Sequence, residues 1–199
     1  MQTLSVSANI DIRAPRNEVW SLISDVDKRL RLCPLWDVIS VEALTPGALG
    51  LNSVFRFQTR RQQQNVTRES RVVEFVPGRR IAHARDNSHV ARTLWSVQDC
   101  AVGTRLMYEE IFQVSDEQDC AMILQAAHQA VQQWLTSLKL YLEWREARLT
   151  RAWRWLFDRA LLRMPTSQRR VIMAIVFLHA TSAIGFIAAA LVWGLALRQ

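Results

Sequence analysis

Three charged residues stand where chemistry could be done. Glu69, Arg71 and Glu110 lie in segments that alternate like β-strands, and each falls in the more apolar of its segment's two series. An ionised side chain facing an apolar interior is costly unless it is paired or solvated. Such a set can be a polar anchor at one end of a hydrophobic pocket, an acid and base that enolise a bound substrate, or an ion cluster at a cavity mouth. Around it, the same inward series holds Phe55 and Phe57, Val73 and Phe75, Thr93, Trp95 and Val97, and Leu106, Tyr108 and Phe112. Trp95 and Tyr108, with Val131 and Trp134 from a later helix, suit either a ligand platform or ordinary core packing.

Other chemistries lack their residues. No Ser-His-Asp, metal-ligand or phosphate-loop pattern occurs, and His83, His89, His128 and His179 are scattered without ligand spacing. Cys33, Cys100 and Cys120 are odd in number and show no C-x-x-C spacing, which reads as reduced structural thiols of a cytosolic domain. No catalytic residue and no metal site is expected, and non-enzymatic binding or scaffolding is favoured over catalysis.

The elements that must position these residues are legible from periodicity. Leu4, Val6, Ala8, Ile10 and Ile12 alternate with polar neighbours as in a half-buried strand, which Ala14-Pro15 ends. Val19, Trp20, Leu22, Ile23 and Val26 recur at helical spacing, and a second short helix begins near Asp27 and closes at Pro34. Six strands follow between Val38 and Val114, divided by turn signals such as Pro46-Gly47, Pro77-Gly78 and Gly103, an antiparallel meander. A long helix starts near Asp119, with Ile123, Ala127, Val131, Trp134, Leu138 and Tyr141 on one face.

Beyond Leu142 the character changes. From Val171 to Leu197 there are 27 consecutive residues without Asp, Glu, Lys or Arg. As a helix this run is about 40 Å long, against a hydrocarbon core of roughly 30 Å, so it is expected to cross a membrane. Residues 1–142 carry 16 Lys+Arg against 15 Asp+Glu, whereas 143–199 carry 9 against 3, nearly all of the excess ahead of the apolar run. The positive-inside rule then puts the N-terminal part in the cytoplasm, on the cytoplasmic (inner) membrane. Trp153, Trp155, Arg169 and Arg170 belong to a basic, tryptophan-rich stretch suited to anionic lipid headgroups, and nucleic acid is not expected. Within the apolar run, His179 could meet a cofactor or a partner helix, and Gly185 with Ala189, and Gly194, form small-residue spacings through which integral-membrane partners could pack.

Strand, two small helices, six-stranded meander and long helix together resemble the START and birch-pollen-allergen-like superfamily, also known as the SRPBCC or polyketide cyclase/dehydrase and coenzyme Q-binding group. The segments ANIDIRAPRNEVWSLISDVDKRLRLCPLWDVISVEAL, VVEFVPGRRIAHA and VGTRLMYEEIFQ carry the resemblance. It implies an α+β helix-grip fold, a curled antiparallel sheet around the long helix, over residues 1–142. A basic juxtamembrane helix at 143–170 and a transmembrane helix at 171–197 would follow. It also implies a cavity for a lipid, an isoprenoid quinone or a pigment. The expected function is a membrane-anchored module for such a ligand. The alternatives are an accessory subunit of a larger membrane complex, respiratory or photosynthetic in type, and a cyclase or aromatase-like enzyme.

Overall fold

Alternation in β1 (Gln2–Ile12) buries Leu4, Val6, Ala8 and Ile12 on one side, as the period-two pattern requires. The computed structural model describes residues 2–61, 64–85, 90–114, 119–143, 155 and 157–196, the last stretch in part as backbone only. Two short helices follow, α1 (Arg16–Ser24) and α2 (Val26–Arg31), divided at Asp25, whose carboxylate accepts from the Lys28 amide at 3.0 Å and caps α2. The meander is β2 (Asp37–Ala43), β3 (Val54–Arg61), β4 (Gln64–Val76), β5 (Arg80–Arg85), β6 (Val90–Cys100) and β7 (Gly103–Val114). All seven strands form one antiparallel sheet in the order β1-β7-β6-β5-β4-β3-β2. The helix α3 (Cys120–Glu143) is capped by Asp119 Oδ1, which accepts from the amides of Ala121 and Met122, and it runs chiefly along β1.

Val131, Trp134, Leu135, Leu138, Tyr141 and Leu142 form the buried face of α3. They meet the inner faces of the sheet and the small helices in one continuous core. The α+β helix-grip architecture read from the sequence is the one observed.

One strand departs from its expected register. The β4–β5 pairing shifts between Val72 and Glu74, so that Val73 is the extra residue of a bulge. Before the bulge Ser70 and Val72 are buried, while Arg71 and Val73 are exposed and Glu69 pairs with Arg56 at 2.7 Å. Beyond it Phe75 returns to the inner side and packs on Trp20. Simple alternation through the strand therefore placed Glu69, Arg71 and Val73 on the wrong face.

The chain beyond α3 docks onto the domain. Asp158 accepts from Tyr141 Oη at 2.9 Å and from Lys28 Nζ at 2.9 Å, and Leu161 and Leu162 are buried. Arg169 then donates to the carbonyls of Leu161, Leu162, Met164 and Arg31. This corrects Arg169 from a headgroup contact to an internal clamp, because loose carbonyls at the end of α2 and in the 161–164 turn need donors. The final helix, α4 (Thr166–Ala196), has 31 residues. Among the described residues no helix is long and apolar enough to cross a membrane.

Entry to β7 depends on Gly103. Its φ is +140°, and a Cβ there would run into the Ile12 carbonyl and lie 3.1 Å from the Ala14 nitrogen. Thr104 beside it donates to the Ala14 carbonyl at 2.8 Å, closing β1 on β7. Gly103→Ala is expected to destabilise the full chain by about 2 kcal/mol or more. Urea unfolding in mild detergent checks this, and an unchanged midpoint would show that the β1–β7 closure tolerates a side chain at that point.

Candidate functional site

Indole and phenol rings fill the centre of the grip. Trp95 and Tyr108 meet edge-on across β6 and β7, with centroids 4.5 Å apart, and Trp134 descends from α3 onto both, at 4.9 Å and 5.7 Å. Trp36, just before β2, touches Trp134 at 5.5 Å and stacks on Phe57 at 6.5 Å. Phe55, Phe57, Trp95, Tyr108, Val131 and Trp134 are all buried, so six of the expected cavity residues come together.

A polar line runs through these rings. Trp134 Nε1 donates to the Arg29 carbonyl at 3.1 Å, which holds the last turn of α2 against α3. The Arg29 side chain turns inward and is 3% exposed. One guanidinium nitrogen donates to the Ile23 carbonyl at 2.6 Å, and another lies 2.9 Å from His83 Nε2. The group also sits 5.2 Å from the Trp95 ring, a favourable place for a cation. Burial pushes its pKa down to about 9, with Tyr108 opposing and Arg85 adding to the fall, so Arg29 still carries its charge at neutral pH.

His83 is tautomerically defined by this contact. A guanidinium only donates, so Nε2 must accept and Nδ1 must carry the proton. Burial first, then the charges of Arg29 and Arg85, hold the His83 pKa well below its ordinary value. On the same inner face, Thr93 pairs with His83 across β5–β6 and with Glu110 across β6–β7. Tyr108 Oη donates to Glu110 Oε2 at 2.7 Å, and burial together with that carboxylate raises the phenol's pKa well above its usual value. Arg85, two residues along β5 from His83, lies over the rings of Trp36 and Phe57 at 5.5 Å and 5.6 Å.

Of the three charges singled out in the sequence, then, Glu110 alone reaches this interior. Glu69 and Arg71 sit on the far side of the sheet, so the proposed acid–base set is not assembled. The residues that replace them, Arg29, His83, Arg85 and Trp36, were missed. Arg29 lies in VDKRLR, which reads as a solvated basic turn, whereas the alternation Ile81-His83-Arg85 against Ala82-Ala84 was an available signal for β5.

Toward the C-terminus, Trp155 is 64% exposed with Arg159 stacked on it at 5.8 Å. His179 Nδ1 donates to the Ile175 carbonyl of its own helix at 2.8 Å, and Gly185 has no atom within 4 Å of an added Cβ. Trp153 lies outside the described residues, and Arg170, Ala189 and Gly194 are described as helical backbone only. Among the described residues no group of His, Cys, Asp or Glu could hold a metal ion.

The family model for Activator of Hsp90 ATPase homolog 1-like protein matches residues 13–143, which is most of the grip and two-thirds of the chain. This chain belongs to that family. The search of curated proteins found no match. Among solved structures, protein CV1439 from Chromobacterium violaceum is similar at 17% identity with a TM-score of 0.55, covering 70% of this chain and 97% of that one. Ara h 8.0201 is similar at 10% identity with a TM-score of 0.55, covering 71% of this chain and 98% of that one. For this Activator of Hsp90 ATPase homolog 1-like chain, family and fold agree with the SRPBCC-type superfamily read from the sequence.

A neutral buried histidine makes folding sensitive to acid. The unfolded chain protonates His83 below about pH 6.5 and the folded chain does not, so stability is full above that pH and is lost as pH falls below it. The expected slope is about 1.4 kcal/mol per pH unit more than in His83→Gln. Urea midpoints from pH 7.5 to 5 test this, and parallel profiles for the two proteins would contradict it.

Proposed function

We propose that this protein is a membrane-held binding module: the uncharged run at 171–197, read from the sequence and not from any described helix, holds it at a bilayer, and the interior of the grip accepts a hydrophobic or amphipathic molecule from that surface. Fold and family suggest ligand binding or chaperone regulation as the general class, the second through the family's name. The aromatic interior favours the first.

The observation that carries this reading is the position of Trp36. It forms one wall of the aromatic interior, and its neighbours Leu35 and Ile39 are exposed at 48% and 38%. The strand it leads into, β2, is also the strand that α4 contacts, and Arg169 is electrostatically coupled to Asp37. Interior, apolar lip and final helix thus converge at one end of the domain. A ligand leaving a bilayer there would pass from acyl chains to aromatic rings along an apolar surface.

Support for the anchor comes from the sequence. The uncharged run of 27 residues lies almost wholly within α4, and eight arginines between 143 and 170 precede it. Those arginines favour a cytoplasmic domain at an anionic inner-membrane surface. A lipid, quinone or pigment fits as occupant. The competing reading is a subunit that packs through Gly185, Ala189 and Gly194 and leaves its interior unused.

One preparation separates these readings. Full-length protein is expected to stay in the membrane pellet after alkaline carbonate washing. When purified in mild detergent, it should yield about one hydrophobic molecule per chain on organic extraction and mass spectrometry. Release by carbonate would remove the anchor. Repeatedly empty extracts with co-purifying membrane subunits would favour the subunit reading.

A further inference from the structure

Three buried side-chain atoms have no hydrogen-bond partner among the described residues: Arg29 Nε, His83 Nδ1 and Thr93 Oγ1. They are not scattered. Arg29 contacts His83 directly, and His83 faces Thr93 across two strands. Their chemistry is also alike. Arg29 Nε bears a hydrogen, the Nε2 contact forces the proton of His83 onto Nδ1, and the Thr93 hydroxyl can donate. All three can donate, and each lacks an acceptor among the described residues. Buried polar groups are almost always satisfied, so a cluster of orphaned donors marks a place where acceptors are missing.

Charge points the same way. Neither Arg29 nor Arg85 forms an ion pair with any described carboxylate. The carboxylate of Glu110, opposite Thr93 on this inner face, already accepts from Tyr108. Each guanidinium lies in or beside a buried interior, a medium that penalises unpaired ions. Both guanidiniums lie against aromatic rings, Arg29 on Trp95 and Arg85 on Trp36 and Phe57. Those rings take no in-plane hydrogen bond, which leaves Arg29 Nε and the Arg85 fork to a planar or tetrahedral oxyanion.

We infer that the interior recognises the anionic head of an amphipathic molecule, a carboxylate or a phosphate monoester on an apolar or aromatic body, with Arg29 and Arg85 supplying charge and His83 and Thr93 supplying neutral donors. The inference rests on the binding-module reading and narrows its ligand class. Arg85, half-buried beside Trp36, meets the head first. Arg29, His83 and Thr93 lie deeper and complete its hydrogen bonds, while the aromatic rings cover the body.

The test uses the full chain in nanodiscs, with empty nanodiscs as blank, titrated calorimetrically with 4-phenylbutyrate, 4-phenylbutyl phosphate, 4-phenylbutanol and inorganic phosphate. At least one of the two acids is expected to bind tenfold or more tighter than the alcohol. Arg85→Met, a change at the mouth, is expected to abolish that preference, so that acids and alcohol bind the variant within about twofold of each other. Arg29→Met serves as the second variant, with near-ultraviolet circular dichroism reporting whether the aromatic core is intact. Equal affinity for acids and alcohol would overturn head-group recognition and leave the binding module standing. A preference that survives in both folded variants would overturn the assignment to these arginines. Inorganic phosphate binding as tightly as the acids would replace the amphipathic ligand by a free anion. Binding of no probe by the wild type would overturn this inference and the reading beneath it together.

Discussion

The indole of Trp134 ties the gripping helix to the rest of the domain. Its N–H holds the Arg29 carbonyl, its ring wedges against Trp95, Tyr108 and Trp36, and it is itself buried. Most helix-to-sheet contacts in the core are non-directional, and apolar side chains of similar volume could trade places with modest loss. This one has direction. It fixes where α2 ends relative to α3, which in turn decides that the Arg29 guanidinium goes inward to His83 rather than outward to water. The polar interior is thus a consequence of how the small helices are pinned.

That arrangement is expensive in isolation. A buried cation supported by one carbonyl, one imidazole and one aromatic face is less stable than an apolar side chain of the same size. Its presence in a core otherwise rich in Leu, Ile and aromatic residues conflicts with the local rule that would make the domain most stable. Such conflicts are expected where a fold gives up stability for recognition. Pocket volume contributes little here: the shallow groove between α2 and the β2–β3 hairpin, about 290 Å³, exposes mixed polar and apolar atoms and lacks the orphaned donors of the interior.

Element order, strand boundaries and the inner faces of β3, β6 and β7 were legible in the sequence, because alternation and turn residues are local signals with strong physical causes. The face of β4 was not. A bulge inserts one residue without changing the composition of the strand, and Val72-Val73 offers apolar residues to both faces. Arg29 was illegible for another reason. Its burial depends on Trp134, 105 residues away, and nothing in the hexapeptide VDKRLR distinguishes an inward arginine from its solvated neighbours. The segment after α3 was read as lipid-facing from its arginines and tryptophans, yet Asp158 and Arg169 turn part of it onto the protein.

The Arg169 clamp has a mechanical consequence. A domain joined to its final helix by a slack linker would swivel and bob, presenting its mouth in every direction. Four carbonyls on two separate elements held by one planar guanidinium leave little such play. The domain and the start of α4 turn as one bracket, so tilt of the helix becomes tilt of the Trp36 lip. In the proposed membrane-held state, diffusion of the whole molecule becomes a two-dimensional sweep with the opening kept at one level.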